Sequence, residues 1–317
     1  MKIRKPKPVQ VLTIISMLFF ISGCSKSIVN IYDGDEEGGI PGHPGKGHTL
    51  VTFNASIENL NVTRAMTLMK SGIKSHIYAY VPNTMISGRE RLYVQGIYVT
   101  SSPGVLTGVD GYKMFLPNDT YNFYAVSDNY STIPPRFTNG ESEFLFNGID
   151  YLWWGASQQD VTSSQINIPI TFQHAGTQVV IEIEAGQGLV LNKLLSATIT
   201  PPEPGETMQL ATGVISPATT YDRPDKMGIN GFTAQYIMLP LQTDVPMKLT
   251  LEVMADDEQN SRTYNAEVPL PDGELKAGDS YVFKAVIEDN TVSFPTVSVK
   301  NWTEVDETGN PLYPSQK

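Results

Sequence analysis

Chemistry that needs an imidazole or a thiol would depend on few side chains in this sequence, because its 317 residues include four histidines and one cysteine. His174 is the best-placed histidine, in the segment Phe172-Gln-His-Ala-Gly176 at the end of an apolar run. A general base there would need a nucleophile or a carboxylate within hydrogen-bond reach, and the spacing identifies neither. The chain also has no HExxH, no GxSxG, no glycine-rich phosphate loop and no Cys/His cluster. We therefore expect His174 to be structural, and we expect no enzyme and no cofactor.

Metal-binding patterns are equally scarce. His43 and His48 lie in a polar stretch with too few companions to form a ligand set. The acidic run Asp33–Glu37 offers carboxylates to calcium, but it lacks the twelve-residue pattern of a calcium-binding loop. The sequence therefore predicts solvated charges in these segments and no metal site.

Cysteine chemistry is confined to Cys24, which follows basic residues at 2–7 and an apolar segment at 11–21. Such a segment is typical of a secretory signal peptide and is too short to span a membrane. The sequence Ile21-Ser22-Gly23-Cys24 resembles a bacterial lipobox. That motif implies cleavage between Gly23 and Cys24 and a diacylglycerol on the cysteine sulfur. The alternative is an ordinary cleavage site with an incidental thiol.

The charge of the chain excludes some classes of partner. The formal charge is −11 at pH 7, and removal of residues 1–23 with their four basic side chains lowers it to −15. Nucleic acids and anionic lipids are bound through clusters of Lys and Arg, so we expect no nucleic-acid partner. Because Cys24 is the only cysteine, no disulfide can form within the chain, and each domain must be stabilised by its own core.

Arg64 is one of seven arginines and lies in the polar segment NLNVTRAM at residues 59–66, between two strand-like runs. Such an arginine is either a solvated loop charge with no specific task or a site at which the chain is cut. The local sequence alone leaves both interpretations open.

The elements that must position these residues are short strands. Alternating runs rich in Tyr, Val, Ile, Phe and Thr recur between turn residues, and no helical periodicity competes with them. The sequence therefore predicts an all-β, mainly antiparallel fold. In the first strand every second residue is apolar, so one face should be buried through Val51, Phe53, Ala55 and Ile57. Removal of this strand would expose apolar side chains and unpaired backbone groups.

The order of the strands predicts two modules. A signal peptide at 1–23 and a Gly- and Pro-rich tether at 24–48 precede a first β-sandwich at 49–163. A polar segment separates this sandwich from a second one at 164–303, and a polar tail occupies 304–317. Each module has the ordinary size of a sandwich domain.

Taken together, these segments resemble the fimbrillin family of Bacteroidales, the subunits of type V pili. The resemblance rests on the lipobox and on four segments in a shared order: VTRA at 62–65, LPNDTYNFYAVS at 116–127, ITFQHAGTQVVIEI at 170–183, and a closing stretch from AGDSYVFKAVI to VSVKNW that ends at Trp302. It covers most of the chain after the signal peptide. Membership would imply two tandem transthyretin-like β-sandwich domains and export to the outer membrane as a lipoprotein.

The resemblance also implies an assembly mechanism. In this family a protease cuts after an arginine that follows the first strand, which assigns the cut in this chain to the bond between Arg64 and Ala65. Loss of the first strand opens a groove, and an extended segment of another subunit fills it. The implied function is that of a structural subunit of a surface fimbria that supports adhesion. Its implied partners are other fimbrial subunits, the processing protease and, through the lipid on Cys24, the outer membrane.

The segment offered to a neighbouring subunit would come from the C-terminal run at 292–302. Its apolar positions alternate but change parity across Pro295, which lacks a backbone N–H, so a bulge or break is expected there. As a donor strand, this run would place Val297, Val299 and Trp302 in the vacated groove. The alternative is that it forms the closing hairpin of the second sandwich.

The aromatic run Tyr151-Leu-Trp153-Trp154 suggests a second function. Surface lipoproteins of gut bacteria include glycan-binding sandwiches that stack sugars on exposed aromatic rings. Adjacent residues of a strand point to opposite sides, so at most one of Trp153 and Trp154 can face such a ligand. A surface glycan-binding lipoprotein is therefore the alternative function, against packing of both rings at the domain junction.

Overall fold

The computed structural model describes residues 48–58, 66–86, 89–255, 261–300 and 302. Strands and two single-turn 3-10 helices make up the regular structure in these ranges, so the all-β prediction is confirmed. No helix in the same ranges is long and apolar enough to cross a membrane.

The strands and 3-10 helices of the described residues have the following bounds. The first eleven strands are β1 (His48–Glu58), β2 (Met66–Leu68), β3 (Lys74–Ile86), β4 (Arg89–Ser102), β5 (Val105–Gly108), β6 (Met114–Pro117), β7 (Asp119–Ser127), β8 (Phe137–Thr138), β9 (Glu141–Ser142), β10 (Leu152–Val161) and β11 (Gln165–His174). The later strands are β12 (Thr177–Ala185), β13 (Leu191–Ile199), β14 (Asp225–Lys226), β15 (Gly228–Asn230), β16 (Thr233–Met238), β17 (Leu241–Gln242), β18 (Met247–Ala255), β19 (Arg262–Val268), β20 (Glu274–Leu275), β21 (Ser280–Ile287) and β22 (Val292–Lys300). The 3-10 helices are Val109–Gly111 and Pro271–Gly273.

The first eleven strands form a nine-stranded sheet and a separate pair, β8 with β9. The order in the large sheet is β11-β10-β7-β3-β4-β5-β1-β2, and β6 is also paired to β1. A parallel pairing of β1 with β11 connects the two ends of this path, so the sheet closes on itself. β1 therefore lies at the seam of the sheet, with β11 on one edge and β2, β5 and β6 on the other.

The closed sheet encloses a hydrophobic core. Phe53, Phe123 and Phe172 enter it from β1, β7 and β11, and all three are fully buried. The ring of Phe53 meets Tyr98 and Phe123 edge-to-face, with centroids 5.2 and 6.1 Å apart. Such aromatic contacts are favourable beyond the area that they bury. The first strand therefore contributes to the centre of this core.

The C-terminal strands form two further sheets around a second core. The five-stranded sheet has the order β15-β16-β12-β21-β22, with β12 and β21 parallel, and the four-stranded sheet has the order β14-β13-β18-β19. Tyr236 and Phe283 from the first of these sheets and Leu249 from the second are buried in the shared core. The short pair of β17 and β20 adds Leu241 and Leu275.

A third apolar cluster lies on the outer surface of the nine-stranded sheet. Tyr78 and Tyr124 contribute from β3 and β7, where alternation points them away from the first core. Met208, Leu210 and Ile215 contribute from the segment between β13 and β14. The cluster therefore packs residues of the C-terminal half of the chain against the N-terminal sheet.

The structure corrects the position of the strand at 165–174. The polar segment before it favoured a place in the second module, at 164–303, whereas β11 pairs with β1 and β10 of the first sheet. Ile168, Ile170 and Phe172 accordingly belong to the first core. Alternation identified the strand but not its partner, because the parallel contact with β1 joins residues more than a hundred positions apart. The chain thus passes to the second core only after His174.

Candidate functional site

β1 has one face buried in the first core. Val51, Phe53, Ala55 and Ile57 are each at most 2% exposed and belong to that core. The predicted burial of every second residue is confirmed. Their release from the fold stays a prediction, because it concerns a different state of the molecule.

β1 is paired with other strands along both of its edges. One edge pairs with β11 over residues 50–57. The other edge pairs with β6 over residues 48–51, with β5 at residues 53–54 and with β2 over residues 56–58. Withdrawal of β1 would therefore leave unpaired backbone groups on two sides of an apolar groove.

Hydroxyl groups add to the contacts of β1. Thr49 is fully buried, and its Oγ1 contacts Oδ1 of Asn118 at 3.0 Å and the carbonyl oxygen of Ser163. The Oγ1 of Thr52 donates to the carbonyl oxygen of Ile166 in β11 at 3.2 Å. These bonds fix the strand along its axis as well as across the sheet.

A short joint, residues 59–65, connects β1 to the rest of the chain and includes Arg64 and Ala65. The predicted cleavage site thus lies outside the described residues. On its far side, β2 has three residues, of which Met66 and Leu68 are 64% and 60% exposed. The joint is the covalent connection between β1 and every later strand, so a cut within it would separate β1 from them.

Several other predicted features lie outside the described residues. They are Gly23 and Cys24, the acidic run at 33–37, most of the tether at 24–48, and the tail at 304–317. Lipidation and signal-peptide cleavage therefore stay predictions. In the described part of the chain, no three His, Cys, Asp or Glu side chains come together as a metal-ion site.

β22 is an edge strand with exposed apolar side chains. Among the described strands it pairs only with β21. Val297 and Val299 lie opposite the buried Phe283 and Tyr281, which places them on the core side of the sheet. They are nevertheless 42% and 56% exposed. The core side of β22 is therefore uncovered at its C-terminal end.

The predicted irregularity at Pro295 is confirmed as a β-bulge. The pairing of β22 with β21 shifts register between Lys284 and Val286, where Phe294 and Pro295 together oppose Ala285. Proline has no backbone N–H to offer to the ladder, so the interruption falls where the sequence places it. The extra residue keeps the apolar side chains before and after the bulge on the same face of the strand.

Trp302 differs from Val297 and Val299, the other two residues predicted for the donor strand. Its side chain is 5% exposed, and its indole N–H donates to the carbonyl oxygen of Gly278 at 2.7 Å. Its ring stacks on the imidazole of His174, with centroids 3.9 Å apart and planes inclined by 4°. In this structure Trp302 is thus packed within its own subunit, while the two valines are open to a partner.

His174 ends β11 and has a partner that the sequence spacing did not identify. Its Nδ1 lies 2.7 Å from Oδ1 of Asp150, whose Oδ2 accepts a hydrogen bond from Asn129 at 2.8 Å. Trp302 covers one face of the imidazole, and Nε2 is also buried. This closed environment supports a structural role for His174. The pair escaped prediction because the loop that brings Asp150 to the strand end carries no sequence signature.

The adjacent tryptophans pack into the protein. The indole N–H of Trp153 donates to the carbonyl oxygen of Leu210 at 2.7 Å, and its ring lies so close to Gly213 that an added Cβ would approach within 2.4 Å. Trp154 packs against the first core. Both side chains are half-buried, and neither forms an open platform for a sugar ring. The geometry favours packing over glycan stacking.

Comparison with solved structures identifies relatives of the same fold. Candidate cell adhesion proteins from Bacteroides uniformis and Bacteroides ovatus each match with a TM-score of 0.60 at 17% identity. The matches cover 81% and 82% of this chain, respectively, and 100% of each relative. A candidate cell adhesion protein from Bacteroides fragilis matches with a TM-score of 0.52 at 15% identity, over 81% of this chain and 99% of its own. At these identities the likeness concerns the fold.

Comparison with models of protein families identifies the family of this chain. No curated protein matches the chain. The fimbrillin-like family matches it over residues 63–302, which include all strands from β2 to β22. The predicted resemblance to the fimbrillin family is thereby confirmed, and this chain belongs to the fimbrillin-like family.

Proposed function

We propose that this protein is a structural subunit of a cell-surface fimbria, matured by proteolysis at Arg64 and assembled by exchange of strands between subunits. Membership of the fimbrillin-like family supports a fimbrial, adhesion-type role at the cell surface and a structural rather than catalytic task. The partners in this proposal are other fimbrial subunits, a processing protease and the outer membrane, which holds the precursor through the lipid on Cys24.

The position of β1 is the observation that carries the proposal. The strand lies at the seam of the closed sheet, has four side chains in the core and is paired on both edges. Its covalent link to the remaining strands is the joint at 59–65. A single cut after Arg64 would therefore leave a central strand held by noncovalent contacts alone.

The groove left by β1 would be unstable until it is refilled. Burial of a large apolar side chain contributes about 1.5–3 kcal/mol, and Val51, Phe53 and Ile57 are all almost fully buried. The strands on both edges would also lose hydrogen-bond partners. A strand from another subunit would restore both the apolar burial and the backbone hydrogen bonds. The backbone bonds would give affinity, and the alternate side chains would give selectivity. The free energy of refilling would thus drive polymerisation.

β22 has the features required of the refilling strand. It is extended, lies at a sheet edge, and exposes Val297 and Val299 at the two-residue spacing of the apolar residues of β1. Charged groups that would oppose insertion are absent from positions 292–299. Trp302, in contrast, would have to leave its contacts with His174 and Gly278 before it could enter a neighbour.

The lipid part of the proposal follows from the lipobox. Cleavage between Gly23 and Cys24 would leave an acylated cysteine at the start of the precursor, and each buried methylene of its acyl chains contributes about 0.8 kcal/mol to membrane binding. Because Cys24 and β1 both precede Arg64, the second cut would remove the anchor together with the strand. One proteolytic event would then release the subunit from the membrane and open its groove.

Substitution of Arg64 by Ala tests this function. The Arg64→Ala protein should fold and reach the membrane but fail to polymerise, because β1 stays covalently attached and keeps its groove filled. The measurement is the ladder of denaturant-resistant polymers on gels of surface material, together with the N-terminus of the subunit. Arg223→Ala is the matched control, since Arg223 is exposed and lies far from β1 in sequence. Normal polymers from the Arg64→Ala protein, with β1 still attached, would refute the proposal.

A further inference from the structure

The contacts of Trp302 join separate parts of the fold. His174 ends β11 of the nine-stranded sheet, whereas Gly278 lies just before β21 of the five-stranded sheet. Asp150, which contacts His174, precedes β10, and its second oxygen is bonded by Asn129 after β7. We use the term latch for the group formed by Trp302, His174, Asp150 and Gly278. The latch fastens the end of the C-terminal strand at the place where the two halves of the chain meet.

The binding position of Trp302 is built by bonds that do not involve it. The N–H of Gly278 donates to the carbonyl oxygen of Gly176 at 2.7 Å, which connects the loop before β21 to the turn after β11. The imidazole of His174 is oriented by Asp150, at 2.7 Å. The indole therefore enters a slot with a fixed stacking face and a fixed acceptor.

Beyond its bulge, the strand that leads to the latch is weakly fixed by its own side chains. Among the described residues of 292–302, Trp302 alone is buried, and residues 295–300 are all exposed. The ion pair of Lys300 with Glu182, at 3.3 Å, joins side chains that are about half exposed, so its contribution is small. Backbone bonds to β21 hold the strand along its length, and the latch holds its end.

We propose that the latch controls the release of β22 from its own subunit. An edge strand opens from its end, and this end is closed by a stacked, hydrogen-bonded indole. The indole can leave only if the stack on His174 and the bond to Gly278 are lost together and a large ring is exposed to water. As regulation of a donor strand this inference rests on the proposed function, but the latch itself is a property of the single subunit.

Hydrogen exchange on the full-length chain, purified in detergent without the protease, tests the latch. Trp302→Ala should speed exchange of the β22 amides beyond the bulge at least about a hundredfold, the order expected from truncation of a large buried aromatic side chain. Amides of β1 and β12 should exchange as in the wild type. Trp302→Phe should give an intermediate rate, because it keeps a stacked ring and loses the bond to Gly278. Val299→Ala is the matched control, since it changes an exposed side chain of the same strand and should leave exchange unaltered.

The outcomes separate the latch from the proposed function. Unchanged exchange of β22 in Trp302→Ala would overturn the latch, whether or not the protein polymerises. Faster exchange throughout both cores would also overturn it, since Trp302 would then be an ordinary contributor to global stability. Faster exchange confined to β22 supports the latch. If that result is found while the Arg64→Ala protein polymerises normally, the latch is retained and the proposed function is lost.

Discussion

His76 couples the stability of the nine-stranded sheet to pH through a neutral, half-buried imidazole. Its ring stacks on Tyr78 with centroids 4.2 Å apart, and its Nδ1 lies 2.8 Å from the hydroxyl of Tyr78. Burial lowers the pKa of His76 from its ordinary value of 6.5 to about 4, and the Arg136 guanidinium acts in the same direction, against a hydrogen bond with Gln95. The fold therefore accommodates the uncharged ring.

The low pKa of His76 predicts a loss of stability on acidification. The unfolded chain takes up this proton near pH 6.5 and the folded protein only near pH 4, so the free energy of unfolding should fall across this interval and level off below it. At 1.36 kcal/mol per pKa unit the contribution of His76 is about 3 kcal/mol. His76→Gln should lack this component. Urea unfolding of both proteins at the two ends of the interval measures the difference, and an identical pH dependence would contradict the assignment.

Residue environments differed in how well the sequence predicted them. Burial of Phe53 and its neighbours could be predicted, because alternation along one strand is a local property. The pairing of His174 with Asp150 could not, because it depends on how a loop returns to a strand end. The burial of Trp302 could not be predicted for the same reason. The alternating pattern grouped Trp302 with Val297 and Val299, but its burial depends on contacts with Gly278 and His174.

β22 pairs with β21 in its own subunit, and it is proposed to enter the groove of a neighbouring subunit after cleavage. Val299 is 56% exposed, so Val299→Asp should leave the melting temperature of the monomer within about 2 °C of wild type, as is usual for surface substitutions. The same charge should abolish polymer formation after cleavage, because a carboxylate in the neighbour's groove would have to be desolvated without a partner. Thermal unfolding of the monomer and the polymer ladder measure the two effects.

Ser298→Asp is the matched control for this strand. It introduces the same charge one residue away, on the opposite face of β22, and should leave both monomer stability and assembly intact. A large loss of monomer stability in Val299→Asp would show that Val299 belongs to its own domain's core. Equal assembly defects in the two variants would show that charge on the strand, rather than insertion into a groove, is responsible.

For the strands, the sequence predicted their positions along the chain better than their pairing with one another. The buried face of β1 and the bulge at Pro295 follow from side-chain type and from the missing proline N–H, both of which are local. The place of β11 follows from a parallel contact with β1 that no turn or short loop specifies. A polar segment can be a linker between domains or part of one sheet, and the segment before residue 165 consists of the end of β10 and the turn that leads to β11.

In the whole molecule, three features that lie close together in sequence act on different parts of the fold. Cys24 would hold the precursor in the outer membrane, β1 closes the first core, and Arg64 lies between β1 and everything that follows. We propose that the mature chain divides into two domains, with the first core formed by residues 51–172 and the second by residues 179–287. Maturation would exchange an intramolecular strand for an intermolecular one and leave both cores otherwise intact.

Determination of the first residue of the protein in assembled surface fibres is the most direct test of the proposed removal of β1. Mass spectrometry of that material should find Ala65 as the first residue, without lipid, while the membrane-bound precursor should begin at an acylated Cys24. A polymer whose subunits begin at acylated Cys24 and retain residues 48–58 would contradict the central claim, because β1 would still occupy the groove that a neighbour is proposed to fill.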